Sequence, residues 1–146
     1  MQCSIIVVLL IFYISKSNKK YLRLKRSLLF CTTGVEIVQF TYIYVNKVPV
    51  ISFTREDGSL LGSDLNVFGE EIMEIIDEGI YKVAFDLRKH SYLNSFGLGE
   101  LINLRNYFLD KGVICILIVN SKKIIKLFDM VGIGDLFETI ASEKEI

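Results

Sequence analysis

The sequence predicts an α/β fold, a mixed β-sheet with helices packed against it, and three observations carry that prediction. Two short and almost wholly apolar runs, "YKVAFDL" (81–87) and "VICILIV" (113–119), have the length and composition of strands buried on both faces. Apolar residues recur at helical spacing between and after these runs, and each such stretch is closed by a glycine, Gly112 or Gly132. Two buried strands joined by a helix should be parallel neighbours with a right-handed crossover. An earlier pair of β-rich runs joined by a short turn adds an antiparallel hairpin, and that makes the sheet mixed.

The elements follow in order. "VEIVQFTYIYV" (35–45) and "VPVISF" (48–53) are rich in β-branched and aromatic residues, and Asn46 and Lys47 between them read as a two-residue hairpin turn. A loop over 55–64 ends in a helix cap at Ser63 or Asp64. Leu65, Phe68, Ile72, Ile75 and Ile76 then mark one face of a helix that stops at Gly79. After the strand at 81–87, Leu98, Leu101, Ile102, Arg105, Phe108 and Leu109 lie along a second helical stripe. Asn120 or Ser121 caps a third helix, whose Ile124, Ile125, Leu127, Phe128 and Val131 are expected to face inward. The predicted order is β-β-α-β-α-β-α, with a short further strand near Thr139 and Ile140.

A chain of 146 residues suits a single domain, and the regular pattern occupies residues 34–146. Residues 1–33 read as a leader outside it. "CSIIVVLLIFYIS" (3–15) is continuously apolar, and "KSNKKYLRLKR" (16–26) carries six basic residues and no acid. The apolar run is shorter than the roughly 18 to 20 residues that span a bilayer, and it lacks the flanks of a signal peptide. Residues 1–26 therefore read in three ways: as a membrane contact that keeps the domain in the cytoplasm, as a strand or short helix on the domain, or as a leader that folds with nothing.

Composition excludes several functions. Lysine and arginine total 17 and so do aspartate and glutamate, which leaves no basic footprint for general nucleic-acid binding. Cys3, Cys31 and Cys115 are widely spaced and odd in number, and His90 is the only imidazole. They read as reduced cytosolic thiols with no metal site and no cofactor.

The stretch that invites a functional reading is "YLNSFGLGELINLRNYF" (92–108), where a hydroxyl stands at a glycine-bearing helix entrance. Ser95 lacks the glycine two residues earlier that a nucleophile elbow requires, since Leu93 is there, and no general base is indicated. Gly97 and Gly99 lack the third glycine of a dinucleotide turn, and no Gly-Lys-Ser/Thr phosphate loop occurs. Two readings of Ser95 remain. In one, Asn94 or Ser95 caps the helix; in the other, Ser95 is a phosphorylation site, whose charge the positive end of a helix would accept.

Residues 83–138 resemble the STAS domain of anti-anti-sigma factors. The matching residues are Asp86 and Leu87, then Ser95, Gly97, Leu98 and Gly99, then Gly112, and finally Leu127, Phe128, Gly132 and Ile133. Asn94 stands where the family usually has aspartate. The resemblance implies a STAS-like mixed sheet and an anti-sigma factor antagonist that acts by partner switching. The unphosphorylated domain would bind an anti-sigma serine kinase, phosphorylation of Ser95 would release it, and a serine phosphatase would reverse the change. Asn94, Ser95, Phe96, Gly97, Leu98 and Gly99 would then form the partner contact, and the protein would be a ligand and substrate without enzymatic activity. The alternative within the same resemblance is a STAS subunit or scaffold that is never phosphorylated, for example in a lipid-transport ABC complex.

Overall fold

The computed structural model describes residues 6–7, 13–17, 20–31, 34–54, 59–60, 65, 69–74 and 79–146. The hairpin comes first in the argument. Strands β4 (Gly34–Val45) and β5 (Val48–Thr54) run antiparallel, with Val45 opposite Val48. Asn46 and Lys47 both take positive φ, 50° and 68°, as the tight turn that suits the twist of a hairpin demands.

β5 then pairs in parallel with β7 (Lys82–Asp86), and β7 with β9 (Ile114–Ile118), so the two apolar runs are parallel neighbours as expected. The short strand near Thr139 is present as β10 (Glu138–Ile140), parallel to β9 at the margin of the sheet. The opposite margin is built from the segment read as a leader. There β1 (Ile6–Val7) and β2 (Tyr13–Ser17) pair with β3 (Lys20–Cys31), and β3 pairs along its length with β4. The boundary expected at residue 33 thus falls between two strands that pair with each other. A separate two-residue parallel pair joins β6 (Ser59–Leu60) to β8 (Tyr92–Leu93).

Three helices are described: α1 (Gly69–Glu74), α2 (Ser95–Asp110) and α3 (Lys122–Met130). Of the first predicted helix, Leu65 and α1 are helical and Gly79 has φ +90°, while Phe68, Ile75 and Ile76 lie outside the described residues. Gly112 and Gly132 also take positive φ just beyond α2 and α3, which is why those helices stop there. Ser121 occupies the N-cap position of α3 but makes no side-chain cap hydrogen bond.

Alternation along the central strands divides the core in two. Ile51, Phe53, Val83, Phe85, Cys115 and Leu117 face the helices and meet Ile72, Leu101, Leu104, Phe108, Ile124 and Phe128. Val48, Val50, Ala84, Ile116 and Ile118 form a second buried cluster, with Ile43, Val45, Ile140 and Ile146 packed against it. Burial on both faces is what the unbroken apolar runs required. It also pushes the Cys115 thiol up to about 12, with the Arg105 charge only partly opposing the shift.

Two helical faces differ from the sequence reading. On α2 the buried stripe is Leu98, Leu101, Leu104 and Phe108, while Leu109 is exposed. Arg105 holds its place near the stripe by donating to the Leu136 carbonyl, its guanidinium 5.9 Å from the centre of the Phe137 ring. On α3 only Ile124 and Phe128 are buried, and Ile125 and Val131 point to solvent. A helix of this length on a sheet has room to bury one narrow stripe.

Candidate functional site

The segment from the end of β7 to the start of α2 is fixed by short-range bonds. Leu87 donates its N–H to the Ile118 carbonyl at 2.8 Å, and His90 donates to the Leu87 carbonyl at 3.0 Å, closing a turn. His90, the one imidazole of the chain, is buried at 3% exposure. Leu93 on β8 is buried too, and β8 is held by its pairing with β6. The chain therefore arrives at α2 along a defined path.

Asn94 is the N-cap. Its backbone is extended (φ −83°, ψ 167°), its Oδ1 accepts from the Gly97 N–H at 2.6 Å, and its carbonyl accepts from Leu98 N–H at 2.9 Å. That last bond is the first turn of the helix, so the N–H groups of Ser95 and Phe96 lie ahead of the intrahelical ladder. Gly97 and Leu98 turn inward and are buried. Ser95 and Phe96 turn outward, Phe96 with 54% of its surface exposed. Gly99 is half-buried, and a Cβ placed on it would meet nothing within 4 Å. The six residues singled out in the sequence thus form one turn with a buried side and an exposed side, and the hydroxyl of Ser95 belongs to the exposed side.

An ion cluster stands at the end of β7. Arg88 donates Nε to Asp86 Oδ1 at 2.9 Å and Nη2 to Asp86 Oδ2 at 2.7 Å, and its backbone N–H also reaches Oδ1 at 3.0 Å. The same Nη2 lies 2.7 Å from Glu143 Oε2, which fastens the C-terminal turn (Glu143–Glu145) to the end of the sheet. Burial raises the Asp86 pKa, but the hydrogen bonds and charge of Arg88 outweigh burial and the net direction is down. The hydrogen bond to Asp86 in turn raises the Arg88 pKa and keeps the guanidinium protonated. Sequence reading picked out Asp86 and missed both partners. The Asp-x-Arg spacing could have suggested Arg88, whereas Glu143 has no local signal.

Among the described residues, no group of three or more histidine, cysteine, aspartate or glutamate side chains is placed to hold a metal, and no helix is long and apolar enough to cross a membrane.

A mixed sheet with its helices on one face, and a glycine-bearing turn opening the helix that follows a central strand, define the class of domain. The chain belongs to the STAS domain family, whose sequence model matches residues 42–146. No curated protein matches the chain. Solved structures do, 11 chains in all. The protein TM1081 superposes with a TM-score of 0.60 at 16% identity over 71% of this chain and 82% of its own. The anti-sigma factor antagonist SpoIIAA in its unphosphorylated form superposes with a TM-score of 0.56, also at 16% identity, over 73% of this chain and 91% of its own. Both likenesses speak to the fold.

Proposed function

We propose that this STAS domain is an anti-sigma factor antagonist that works by partner switching in the cytoplasm, with Ser95 as the switch. One observation supports the reading above the others: the cap of α2 is made by Asn94, which leaves the exposed Ser95 hydroxyl at the positive end of the helix with no structural duty. A phosphate there, carrying about −1.5 to −2 charges, meets first-turn N–H groups and a favourable dipole, so the fold accepts it. A partner docked against Phe96 and the glycine turn would meet new charge and bulk, and would leave. The partner is an anti-sigma serine kinase, a serine phosphatase resets the switch, and the domain itself is a ligand and substrate with no catalysis of its own.

The test is incubation of the purified protein with the candidate kinase and ATP, followed by mass spectrometry of the intact protein and its peptides. Phosphate on Ser95, with Ser95→Asp binding the kinase more weakly than Ser95→Ala, is the expected result. No incorporation, together with equal binding by wild type and both variants, would assign the protein to the unphosphorylated subunit or scaffold class.

A further inference from the structure

Tyr92, on β8, has 57% of its surface exposed, and Phe96, in the first turn of α2, has 54%. Neither ring belongs to the core, to which this segment contributes Leu93 and Leu98. Exposure alone assigns nothing, because apolar surface is ordinary on a folded protein; Tyr81, just ahead of β7, is exposed to the same 57%. What sets Tyr92 and Phe96 apart is their place, three residues before Ser95 and one after it. From residue 90 to residue 99 the chain holds no aspartate, glutamate, lysine or arginine, and the nearest such residues, Lys89 and Glu100, stand at the two ends with opposite sign. Within that stretch the exposed residues are Ser91, Tyr92, Ser95 and Phe96.

A phosphate on Ser95 expels only a partner that covers Ser95. Three residues of extended chain span at most about 11 Å, whereas each partner of a standard interface contributes about 800 Å², a patch roughly 30 Å across. A face of ordinary size seated on Ser95 therefore reaches Tyr92 and Phe96 as well. The centre of such a face is typically poor in charged residues and rich in tyrosine and phenylalanine, and that is the composition of residues 90–99. While Ser95 is unmodified, the contact buries two rings and desolvates no charge of this stretch. A phosphate would place about −1.5 to −2 charges between the rings, and a charge taken out of water without a partner makes the same burial costly.

We propose that Tyr92 and Phe96 are the aromatic anchors of the contact that Ser95 switches, and that the partner kinase meets them with an uncharged, apolar face. The inference rests on the partner-switching reading and deepens it. It brings Tyr92, which lies outside the turn 94–99, into the contact, and it gives release a cause in the desolvation of the phosphate.

Calorimetric titration of the full chain with the candidate kinase tests it. Tyr92→Ala and Phe96→Ala should each raise Kd about tenfold or more, with the circular dichroism spectrum and urea midpoint of wild type. Tyr92→Phe, which keeps the ring, should recover most of the loss. Tyr81→Ala, the same truncation at the same exposure but at the other end of β7, should leave Kd within about threefold of wild type. If Tyr92→Ala disturbs β8, Phe96→Ala decides the matter. Binding of the unmodified protein should change little between low and high salt, because apolar burial is not screened; a Kd that rises about tenfold with salt overturns the uncharged face. If wild type binds the kinase and takes phosphate on Ser95 while both alanine variants bind as tightly as wild type, the anchors are wrong and the switch reading stands. If wild type neither binds nor takes phosphate, the switch reading fails and this inference falls with it.

Discussion

Replacing Asn94 by alanine removes one acceptor from one helix entrance. The Oδ1 it deletes lies 2.6 Å from the Gly97 nitrogen, and Gly97 is buried, so water cannot fully replace the lost acceptor. Loss of a cap costs about 0.5 to 2 kcal/mol, and a buried amide left without an acceptor belongs in the upper half of that range. We expect Asn94→Ala to lose about 1 to 2 kcal/mol, read as a fall in the urea midpoint with an unchanged m-value. On heating, the same loss should lower Tm by roughly 3 to 8 °C for a domain of this size. The control is Ser95→Ala, a surface change that leaves the cap intact and should stay within about 0.5 kcal/mol of wild type. If Ser95→Ala costs as much as Asn94→Ala, the hydroxyl is the working cap, and the ground for treating Ser95 as a switch is gone.

Other outcomes follow from the same geometry. Gly99→Ala should stabilise the domain by about 0.5 to 1 kcal/mol in denaturant titrations, because alanine is the better helix former and its Cβ enters open space; unchanged binding of a candidate kinase by this variant would exclude Gly99 from the docking surface proposed above. The folded-state pKa of Asp86 lies below its ordinary 3.8, so its carboxylate contributes stability above that value and loses the contribution as pH falls through the lower folded value. Asp86→Asn should destabilise the domain at pH 7 by about 1.5 to 3 kcal/mol, and its stability should fall less steeply than wild type in the acid limb below pH 3.8, measured by urea titration at a series of pH values. Cys115, buried and with its thiol raised to about 12, should resist alkylation at pH 8 in the folded protein and react on unfolding, as peptide mass spectrometry would show. We also propose that residues 34–146 fold without residues 1–33; a chain trimmed to that range should melt cooperatively, and an aggregated or molten product would place β3 within the folding unit.

The parts of this fold legible in the sequence are those whose cause is local or periodic. The hairpin turn, the buried strands and the glycine stops each rest on a few adjacent residues, and β10 falls where a short strand was expected, near Thr139 and Ile140. Helix faces were only half legible, because Leu109 and Ile125 fit the helical period, yet which of two adjacent apolar residues is buried depends on how the helix seats on the sheet. The pairing of β3 with β4 was hidden by composition: "KKYLRLKR" reads as a charged leader, and nothing local announces a strand whose partner is set by register. At the site, the turn was legible through its glycines, but the choice between Asn94 and Ser95 as cap was not. Both residue types cap helices well, and only the backbone path from β8 decides which one reaches Gly97. Arg88 and Glu143 show the same limit, since 55 positions separate two side chains whose atoms lie 2.7 Å apart.

That division between Asn94 and Ser95 bears on the aspartate usual in the family. Asparagine and aspartate cap helices about equally well, so the exchange keeps the shape of the turn and the bond to Gly97. What it alters is charge beside the hydroxyl. An aspartate would add a negative neighbour to any phosphate on Ser95, and two such charges a few ångströms apart repel by about 1 kcal/mol even when fully solvated. With Asn94 that repulsion is absent, so a phosphate at Ser95 would be held on this turn more easily. The missing charge would also be missing from whatever surface the kinase reads. On the switching reading proposed above, the exchange would act on recognition by a modifying enzyme and on the stability of a modified state, and it leaves the cap on Gly97 as it was.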